Sequence, residues 1–262
     1  MALRLAIAGV GGRMGREIAA VAAADADTEI VGGTVRPGRA GGGTFSEVAG
    51  AGPPSALLTE ELADLLDRTD VVVDFTTPET TIENARRVAE AGRALVVGTT
   101  GLGDRAMAEI RSCSERVPIL YGRNMSVGIA TLVRLLPLFA RALAGYDIEI
   151  TEAHHRHKKD APSGTALALG EAIAAELGVS LADLAVHGRS GIQPRTSGEI
   201  GFHALRAGGN AGEHTVLFAD EGEQIQIVHR AYSRRTFALG ALRAARWVNG
   251  RPAGLYGLAD IL

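Results

Sequence analysis

Short apolar segments alternate with helical segments through the first half of the chain. The apolar runs are continuous, as strands covered on both faces of a parallel sheet should be, and they lie at Leu3–Ala8, Glu29–Val35, Val71–Phe75, Ala94–Gly98 and Ile119–Tyr121. The segments between them have helical periodicity, at Met14–Ala24, Glu60–Leu66, Glu79–Ala91 and Asp104–Ser114. This alternation predicts a doubly wound α/β sheet. The Gly- and Pro-rich segment Arg36–Pro54 is predicted to be a mobile loop over a ligand.

The pattern changes after Asn124. Helices are predicted from a cap at Ser126 to Leu143 with a kink at Pro137, over Gly164–Leu177 and over Arg235–Val248. Strands are predicted over Asp147–Ala153, Glu199–Arg206, Glu213–Ala219 and Glu223–Ala231, the last two forming a hairpin. A second α+β domain with a mixed, partly antiparallel sheet is therefore expected, and the last helix is expected to return to the first domain.

Composition then excludes several classes of protein. The 262 residues carry a net charge of −3, so no basic field points to nucleic acid or to an anionic membrane. No run of about 18 uncharged apolar residues occurs, so we expect no membrane span and a cytoplasmic location. Cys113 is the only cysteine, which excludes a disulfide within the chain and a cysteine zinc cage.

The first predicted strand runs directly into the glycine-rich turn Gly9-Val10-Gly11-Gly12-Arg13-Met14-Gly15. Glycines there permit positive φ and let backbone amides approach a pyrophosphate at a helix start. The spacing is Gly-x-x-Gly-x-x-Gly, with Met14 where the usual dinucleotide motif has its third glycine, and the ending of a P-loop is missing. A tight turn without a ligand would have the same pattern, but the position between strand and helix favours a nucleotide site.

The second strand ends near Val35, where NAD-binding folds carry an acid for the ribose hydroxyls. Here the next residue is Arg36, with Arg39 close by. A guanidinium suits a 2′-phosphate, so NADPH is the predicted cofactor, with NADH as the second choice. A solvated loop arginine is the alternative interpretation.

Three more loops follow predicted strands, at the edge where such sheets bind ligands. They are Asp74-Phe75-Thr76-Thr77-Pro78, Gly98-Thr99-Thr100-Gly101 and Gly122-Arg123-Asn124-Met125. Each could be an ordinary turn, but three on one edge predict a cleft.

The densest chemical cluster is Glu152–Thr165. Its histidines and basic side chains repel one another unless an anion binds among them: His154, His155, Arg156, His157, Lys158 and Lys159. These cations disfavour a metal at the histidines, and a solvated basic loop is a second alternative. A carboxylate pocket with a proton donor is favoured, because His and Lys do this work near neutral pH.

A helix is predicted to start at Ser163-Gly164-Thr165, directly after this cluster. Amides and hydroxyls at a helix N-terminus form a carboxylate site, and capping by Ser163 is compatible with it. We therefore expect all three residues to bind substrate.

The segment Glu152–Ala166 closely resembles the signature of 4-hydroxy-tetrahydrodipicolinate reductases, also called dihydrodipicolinate reductases. The likeness covers almost the whole chain in the same order, at Gly9–Gly15, Asp74–Thr76, Gly98–Gly101, Asn124–Gly128 and Gly212–Thr215. The His-His-Arg-His-Lys segment is highly specific to the family, whereas the glycine loop fits many dehydrogenases.

The resemblance implies a Rossmann-like dinucleotide-binding domain formed by residues 1–125 and 236–262. Residues 126–235 would form a substrate-binding domain that also mediates homotetramers. The implied reaction is hydride transfer from NAD(P)H to the dehydrated ring of 4-hydroxy-tetrahydrodipicolinate, a small dicarboxylate, giving tetrahydrodipicolinate and water.

The resemblance also implies roles for individual residues. By match of motif, His154 would donate or accept the proton and Lys158 would be a second donor. His155, Gly164 and Thr165 would hold the substrate carboxylates. The cofactor would be lined by Gly9, Val10, Gly11, Gly12, Arg13, Met14, Gly98, Thr99, Thr100, Gly122, Arg123, Asn124 and Met125.

The chain departs from the family pattern at two positions. Arg36, followed by Pro37, stands where the family commonly has an acid followed by a basic residue, which favours NADPH over the dual use of both cofactors. Arg123 replaces the small residue that the family usually has before Asn-Met/Phe-Ser. Its side chain would lie near the nicotinamide end of the cofactor or turn out to solvent.

Two other functions stay open: a different two-domain dehydrogenase, for instance one acting on an amino acid, and a nucleotide-sensing binding protein. The His/Lys segment beside an anion site speaks against both.

Overall fold

The computed structural model describes residues 1–39 and 43–262. Part of the predicted loop over residues 36–54 therefore lies outside the described residues. The contacts divide the chain into two compact units. The first unit is Met1–Ser126 with Arg234–Leu262, and the second unit is Val127–Ser233.

A sheet of seven strands forms the centre of the first unit. Its strands are β1 (Leu3–Ala8), β2 (Thr28–Thr34), β3 (Leu57–Thr59), β4 (Val71–Asp74), β5 (Ala94–Val97), β6 (Pro118–Tyr121) and β12 (Gly254–Gly257). Their order is β12-β6-β5-β4-β1-β2-β3, and every neighbouring pair is parallel. From β1, the strands β2 and β3 follow toward one edge of the sheet. From β4, the strands β5, β6 and β12 follow toward the other edge. The switch point between β1 and β4 is where sheets of this kind bind ligands.

Helices pack against this sheet through apolar stripes. They are α1 (Arg13–Ala23), α2 (Phe45–Ala49), α3 (Ala63–Leu66), α4 (Pro78–Glu90), α5 (Asp104–Ser114) and α9 (Arg235–Val248), with a 3-10 turn at Leu258–Ile261. The last helix, α9, packs against α1 and against β4, β5 and β6. A Cβ at Gly240 would lie 1.7 Å from the Met125 carbonyl oxygen, so glycine is what lets α9 approach the loop after β6.

The second unit contains a mixed sheet of five strands. Its elements are α6 (Val127–Ala142), β7 (Asp147–His154), α7 (Gly164–Glu176), α8 (Leu181–Leu184), β8 (Ala185–His187), β9 (Ile200–Arg206), β10 (Glu213–Ala219) and β11 (Gln224–Arg230). In the order β11-β10-β7-β9-β8, the first three strands are antiparallel and the last three parallel. Along β7, Ile148, Ile150, Glu152 and His154 form one buried row. The apolar end of this row joins a core with α6 and α7, and its polar end is the centre of the site below.

Helix α6 begins directly after Ser126 and continues through Pro137. Proline has no N–H for the carbonyl four residues earlier, so the kink expected there stays a prediction. With 16 residues, α6 is the longest α-helix in the described ranges. None of the helices in those ranges has both the length and the apolar character needed to cross a membrane.

The predicted fold class is confirmed: a doubly wound parallel sheet is followed by a mixed α+β unit. Two local predictions were wrong. Residues 36–54 are not all loop, because Thr44 and Glu47 form a capping box that starts α2, and Phe45 buries its ring. The helix predicted from Glu60 begins at Ala63, because the Thr59 hydroxyl accepts the Glu61 amide and keeps the preceding residues in a turn.

Candidate active site

The turn between β1 and α1 has the shape that a pyrophosphate site needs. Gly9 has φ +77°, and a Cβ there would lie 3.0 Å from the Thr76 methyl carbon. The Gly12 amide donates to the Gly9 carbonyl at 2.9 Å. A Cβ at Gly15 would lie 2.3 Å from the Gly9 oxygen, so only glycine lets α1 pack so closely on the turn. Helix α1 has no side-chain cap and no acid in its first turn, so its amides and positive dipole end are available to an anion.

A cavity of about 380 Å³ lies beside this turn, at the carboxyl ends of the strands. The start of α1, the loops after β4, β5 and β6, and one residue of α9 line it: Arg13, Met14, Phe75, Thr76, Gly98, Thr99, Thr100, Gly122, Arg123, Asn124, Met125 and Phe237. A Cβ at Gly98 would lie 2.1 Å from the Phe75 ring, so this glycine lets the ring lie across the loop after β5. The volume is in the range of sites for small ligands and cofactors.

Asp74, at the end of β4, connects the loops after β4 and β5 through hydrogen bonds. It is fully buried, and its Oδ1 accepts from the Thr76 amide at 2.9 Å, from the Thr76 hydroxyl at 2.6 Å and from the Thr99 hydroxyl at 3.3 Å. Its Oδ2 accepts from Asn84 Nδ2 at 3.0 Å. Burial raises the pKa of Asp74, and the hydrogen bonds from Thr76 and Asn84 oppose that rise. The network joins the loops after β4 and β5 into one floor for the cavity.

The structure brings most of the predicted cofactor residues together. Arg13, Met14, Gly98 to Thr100 and Gly122 to Met125 all line the cavity, and Gly9 to Gly12 form the turn that leads into α1. Arg36 is exposed and follows β2 at the carboxyl edge of the sheet, but it does not line the cavity. Sequence reasoning missed Phe237, which comes from α9 and has no motif around it.

His154 stands at the end of β7 with its imidazole bonded to a buried carboxylate. Glu152 is 1% exposed, and its Oε2 lies 2.5 Å from His154 Nδ1. Arg206 on β9 donates to both oxygens of Glu152, from Nη1 at 2.8 Å and from Nη2 at 2.6 Å. The amide of Ser163 donates to Oε1 at 3.0 Å. Burial alone would raise the pKa of Glu152, but these hydrogen bonds lower it. The carboxylate is therefore ionised and fully bonded.

Burial lowers the pKa of His154, and Lys158 and Arg206 act in the same direction, while Glu152 opposes them. The ring of His214 meets the His154 ring edge-on at 5.1 Å between centroids. Burial lowers the pKa of His214 to about 3, so it is neutral near pH 7. A Cβ at Gly212 would lie 3.1 Å from His154 Nε2, so the glycine leaves room beside that nitrogen. His154 is thus a titratable group whose Nδ1 is bonded to Glu152 and whose Nε2 faces the space beside Gly212.

Helix α7 starts beside this pair. Ser163 is 1% exposed, its hydroxyl accepts from the Ala166 amide at 3.2 Å, and it contacts His214 Nε2 at 3.2 Å. Its amide and hydroxyl both bond within the protein, so Ser163 caps the helix and holds Glu152. Its contact with substrate stays a prediction. A Cβ added at Gly164 would meet nothing within 4 Å, so the space beside this residue is open. The first turn of α7 carries no acid, so its amides at Gly164 and Thr165 suit an anion.

The basic loop after β7 is tied to the chain between β9 and β10. The His155 amide donates to the Asn210 carbonyl at 2.8 Å, and the Arg156 amide donates to the Gly208 carbonyl at 3.2 Å. Lys158 Nζ donates to both oxygens of Asp160 at 2.9 Å, and its side chain is 20% exposed. An ammonium group has three N–H donors, so Lys158 keeps a donor for a ligand.

The second unit therefore brings His154, Lys158 and the start of α7 together, as the sequence predicted. Sequence reasoning gave no role to the partners Glu152, Arg206, Gly212 and His214, although Gly212 and His214 lie in a motif shared with the family. Glu152 lies inside the segment that resembles the family signature, but only strand pairing shows that Arg206 stands beside His154. In residues 1–39 and 43–262, no group of three or more His, Cys, Asp or Glu side chains is arranged to hold a metal ion.

Comparison with known proteins identifies the family of the chain. Two family models match the chain: Dihydrodipicolinate reductase, N-terminus, over residues 3–125, and Dihydrodipicolinate reductase, C-terminus, over residues 128–262. The 4-hydroxy-tetrahydrodipicolinate reductase of Chromohalobacter salexigens is 49% identical over 99% of this chain and 98% of its own length. The enzyme of the same name from Rubrobacter xylanophilus is 46% identical over the same shares.

A solved structure of a family member has the same fold over the whole chain. Dipicolinate-bound dihydrodipicolinate reductase from Paenisporosarcina sp. TG-14 is 26% identical, with a TM-score of 0.78 over 100% of both chains. The chain belongs to the dihydrodipicolinate reductase family, the NAD(P)H-dependent oxidoreductases that reduce 4-hydroxy-tetrahydrodipicolinate in the biosynthesis of lysine and diaminopimelate.

Proposed function

We propose that this protein reduces 4-hydroxy-tetrahydrodipicolinate with NADPH, using His154 as the proton donor. The balanced reaction consumes the substrate, NADPH and one proton, and it yields tetrahydrodipicolinate, NADP⁺ and water. NADPH supplies the hydride when it is bound. The protein has to bind both carboxylates of the substrate and deliver the proton.

One observation carries the proposal: a titratable histidine, held by a buried carboxylate, stands next to an anion site at a helix start. In the second unit, His154 Nε2 lies beside Gly212, which leaves space there. The amides of Gly164 and Thr165 would bind one carboxylate, with His155 as a further partner. Lys158 would donate to the substrate and stabilise negative charge that develops during the reaction.

The first unit provides what the cofactor requires. The amides at the start of α1 would bind the pyrophosphate, because that helix end has no side-chain cap and no acid. The residues of the 380 Å³ cavity would hold the nicotinamide half. Arg36, exposed after β2, would bind the 2′-phosphate of NADPH. The division of labour between residues 1–125 with 236–262 and residues 126–235, the homotetramer and the cytoplasmic location belong to the same proposal.

The direct test measures oxidation of NADPH by the purified protein, using the absorbance of NADPH. We expect oxidation only when freshly generated 4-hydroxy-tetrahydrodipicolinate is present, because hydride transfer needs an acceptor whose carboxylates fit the site beside His154. An amino or keto acid that replaced it with equal efficiency would point to a different dehydrogenase. Binding of NADPH without turnover on any substrate would point to a nucleotide sensor.

The same assay tests the carboxylate site with inhibitors. Pyridine-2,6-dicarboxylate should compete with substrate, in line with the dipicolinate bound to the Paenisporosarcina relative. Pyridine-2-carboxylate, with one carboxylate fewer, should be weaker by about 1.5–3 kcal/mol, the net value of hydrogen bonds to a charged group. That difference is roughly 10- to 150-fold in the inhibition constant. Equal inhibition by the two compounds would show that no second carboxylate is bound.

A further inference from the structure

Glu152 is a charged group in a place where a charge is costly. Its side chain is 1% exposed, and a buried ion destabilises a protein unless its oxygens are bonded. Hydrogen bonds from His154, Ser163 and both terminal nitrogens of Arg206 meet that need. These donors lie on β7, at the start of α7 and on β9. The carboxylate therefore fixes three parts of the second unit around one imidazole.

The bond to His154 also determines which ring nitrogen is free. An ionised carboxylate can only accept hydrogen bonds, so His154 Nδ1 must carry the hydrogen in the contact of 2.5 Å with Glu152 Oε2. In the neutral ring, Nε2 is then the unprotonated nitrogen. It is this nitrogen that lies beside Gly212, where a Cβ would come within 3.1 Å. A turn of the ring would break the bond to Glu152.

We infer that Glu152, held in turn by Arg206, is the positioning residue of the proton donor. It keeps His154 in the Nδ1–H form and directs Nε2 toward the substrate as the nitrogen that takes up a proton and passes it on. The inference rests on the proposed function, because it gives a purpose to the orientation of the proposed donor. It adds two residues, Glu152 and Arg206, to those that the reaction requires.

The same strand contains a matched control. Glu149 also contacts a histidine, His203 Nε2 at 2.7 Å, and it also pairs with arginines, Arg189 and Arg195. Because it lies three positions from Glu152 on β7, it stands on the opposite face of the sheet. Glu149→Gln therefore removes a similar carboxylate from a similar cluster without touching His154.

The first test compares Glu152→Gln with Glu149→Gln. We expect kcat of Glu152→Gln to fall on the order of 10- to 100-fold, as small misplacements of a reacting group do. The dissociation constant of NADPH should not change. Glu149→Gln should keep the wild-type kcat. A Glu152→Gln enzyme with wild-type kcat overturns the inference.

The pH profile separates positioning from a general loss of structure. The charged or titratable groups around His154 are Glu152, which raises its pKa, Lys158 and Arg206, which lower it, and the neutral His214. Removing the Glu152 charge should therefore move the falling limb of kcat/KM toward lower pH. Glu152→Asp, which keeps the charge but shortens the side chain, should return the limb toward the wild-type pH while kcat stays low. A limb that does not move in Glu152→Gln contradicts the inference.

The second test needs no variant of Glu152 to fold. In wild-type protein labelled with ¹⁵N at histidine, the long-range proton–nitrogen spectrum reports the tautomer of each ring, and His154→Gln identifies the His154 signals. We expect neutral His154 to carry its hydrogen on Nδ1, and a neutral Nε2–H form would overturn the inference. An active His154→Gln enzyme would remove the proposed donor itself, whereas an inactive one combined with an unaffected Glu152→Gln enzyme would remove only the role of Glu152.

Discussion

Replacing His154 by Gln is expected to lower kcat roughly 10²- to 10⁴-fold, which is the usual contribution of a positioned acid or base. The Gln side chain can still donate an amide hydrogen to Glu152, so the buried carboxylate keeps a partner and the fold should survive. It has no proton to transfer near neutral pH. The dissociation constant of NADPH should stay the same, because the residues that line the cofactor cavity all belong to the first unit. Steady-state kinetics and a fluorescence titration with NADPH measure the two quantities.

The wild-type pH profile is the companion measurement. Burial lowers the pKa of His154 below its ordinary value of 6.5, so the free enzyme holds the extra proton only below that lowered pKa. If the protonated ring is the acid, kcat/KM falls as pH rises through an apparent pKa below about 6.5. The limb in kcat should lie at higher pH, because two bound carboxylates favour the charged imidazole. Turnover of His154→Gln near the wild-type rate would show that another group delivers the proton.

The second large effect is expected at Arg36, where Arg36→Glu should reverse or abolish the preference for NADPH. Charge-assisted hydrogen bonds to the 2′-phosphate contribute about 1.5–3 kcal/mol, and a carboxylate in their place adds repulsion of about 1 kcal/mol in a solvated site. Together these terms change the ratio of kcat/KM for NADPH and NADH roughly 60- to 700-fold. Because Arg36 is exposed, the lower part of that range is expected.

The cofactor experiment needs two controls at one fixed ionic strength. Arg39→Glu shows how much of the contact the neighbouring arginine shares. Arg111→Glu makes the same charge change in the last turn of α5, at the opposite edge of the sheet, and should leave the ratio as it is. A wild-type protein that prefers NADH would show that Arg36 does not read the 2′-phosphate.

The hydrophobic pattern predicted the long elements because each of them buries one continuous surface. The strands β1, β4 and β5 are apolar on both faces, and α4 and α5 have clear apolar stripes, so their bounds were found within one or two residues. The strands β3, β8 and β12 have three or four residues and are at most partly buried, so they lack the continuous buried apolar run that marks the equally short β4 and β5. They join the sheets because a neighbouring strand edge is available, which is a property of the tertiary structure.

The candidate sites divide in the same way. Residues that share a short segment, such as His154 with Lys158 or Gly98 with Thr99, could be found because chemistry and spacing lie side by side in the sequence. Arg206 and Phe237 could not, since strand register and helix packing bring them in from far along the chain. The bond from the Ser163 amide to the buried carboxylate of Glu152 is likewise a product of the tertiary structure, and the contact of Ser163 with substrate stays a prediction.

The position of α9 means that synthesis and folding cannot follow the same order in this protein. Residues 1–126 leave the ribosome first, yet their sheet lacks β12 and the helix that covers β4 and β5 until the last part of the chain emerges. The second unit is continuous in sequence and can complete its core while α9 is still being made. The nascent first unit thus exposes apolar surface until α9 has been made, and in that interval a partly folded chain is open to chaperones and to aggregation.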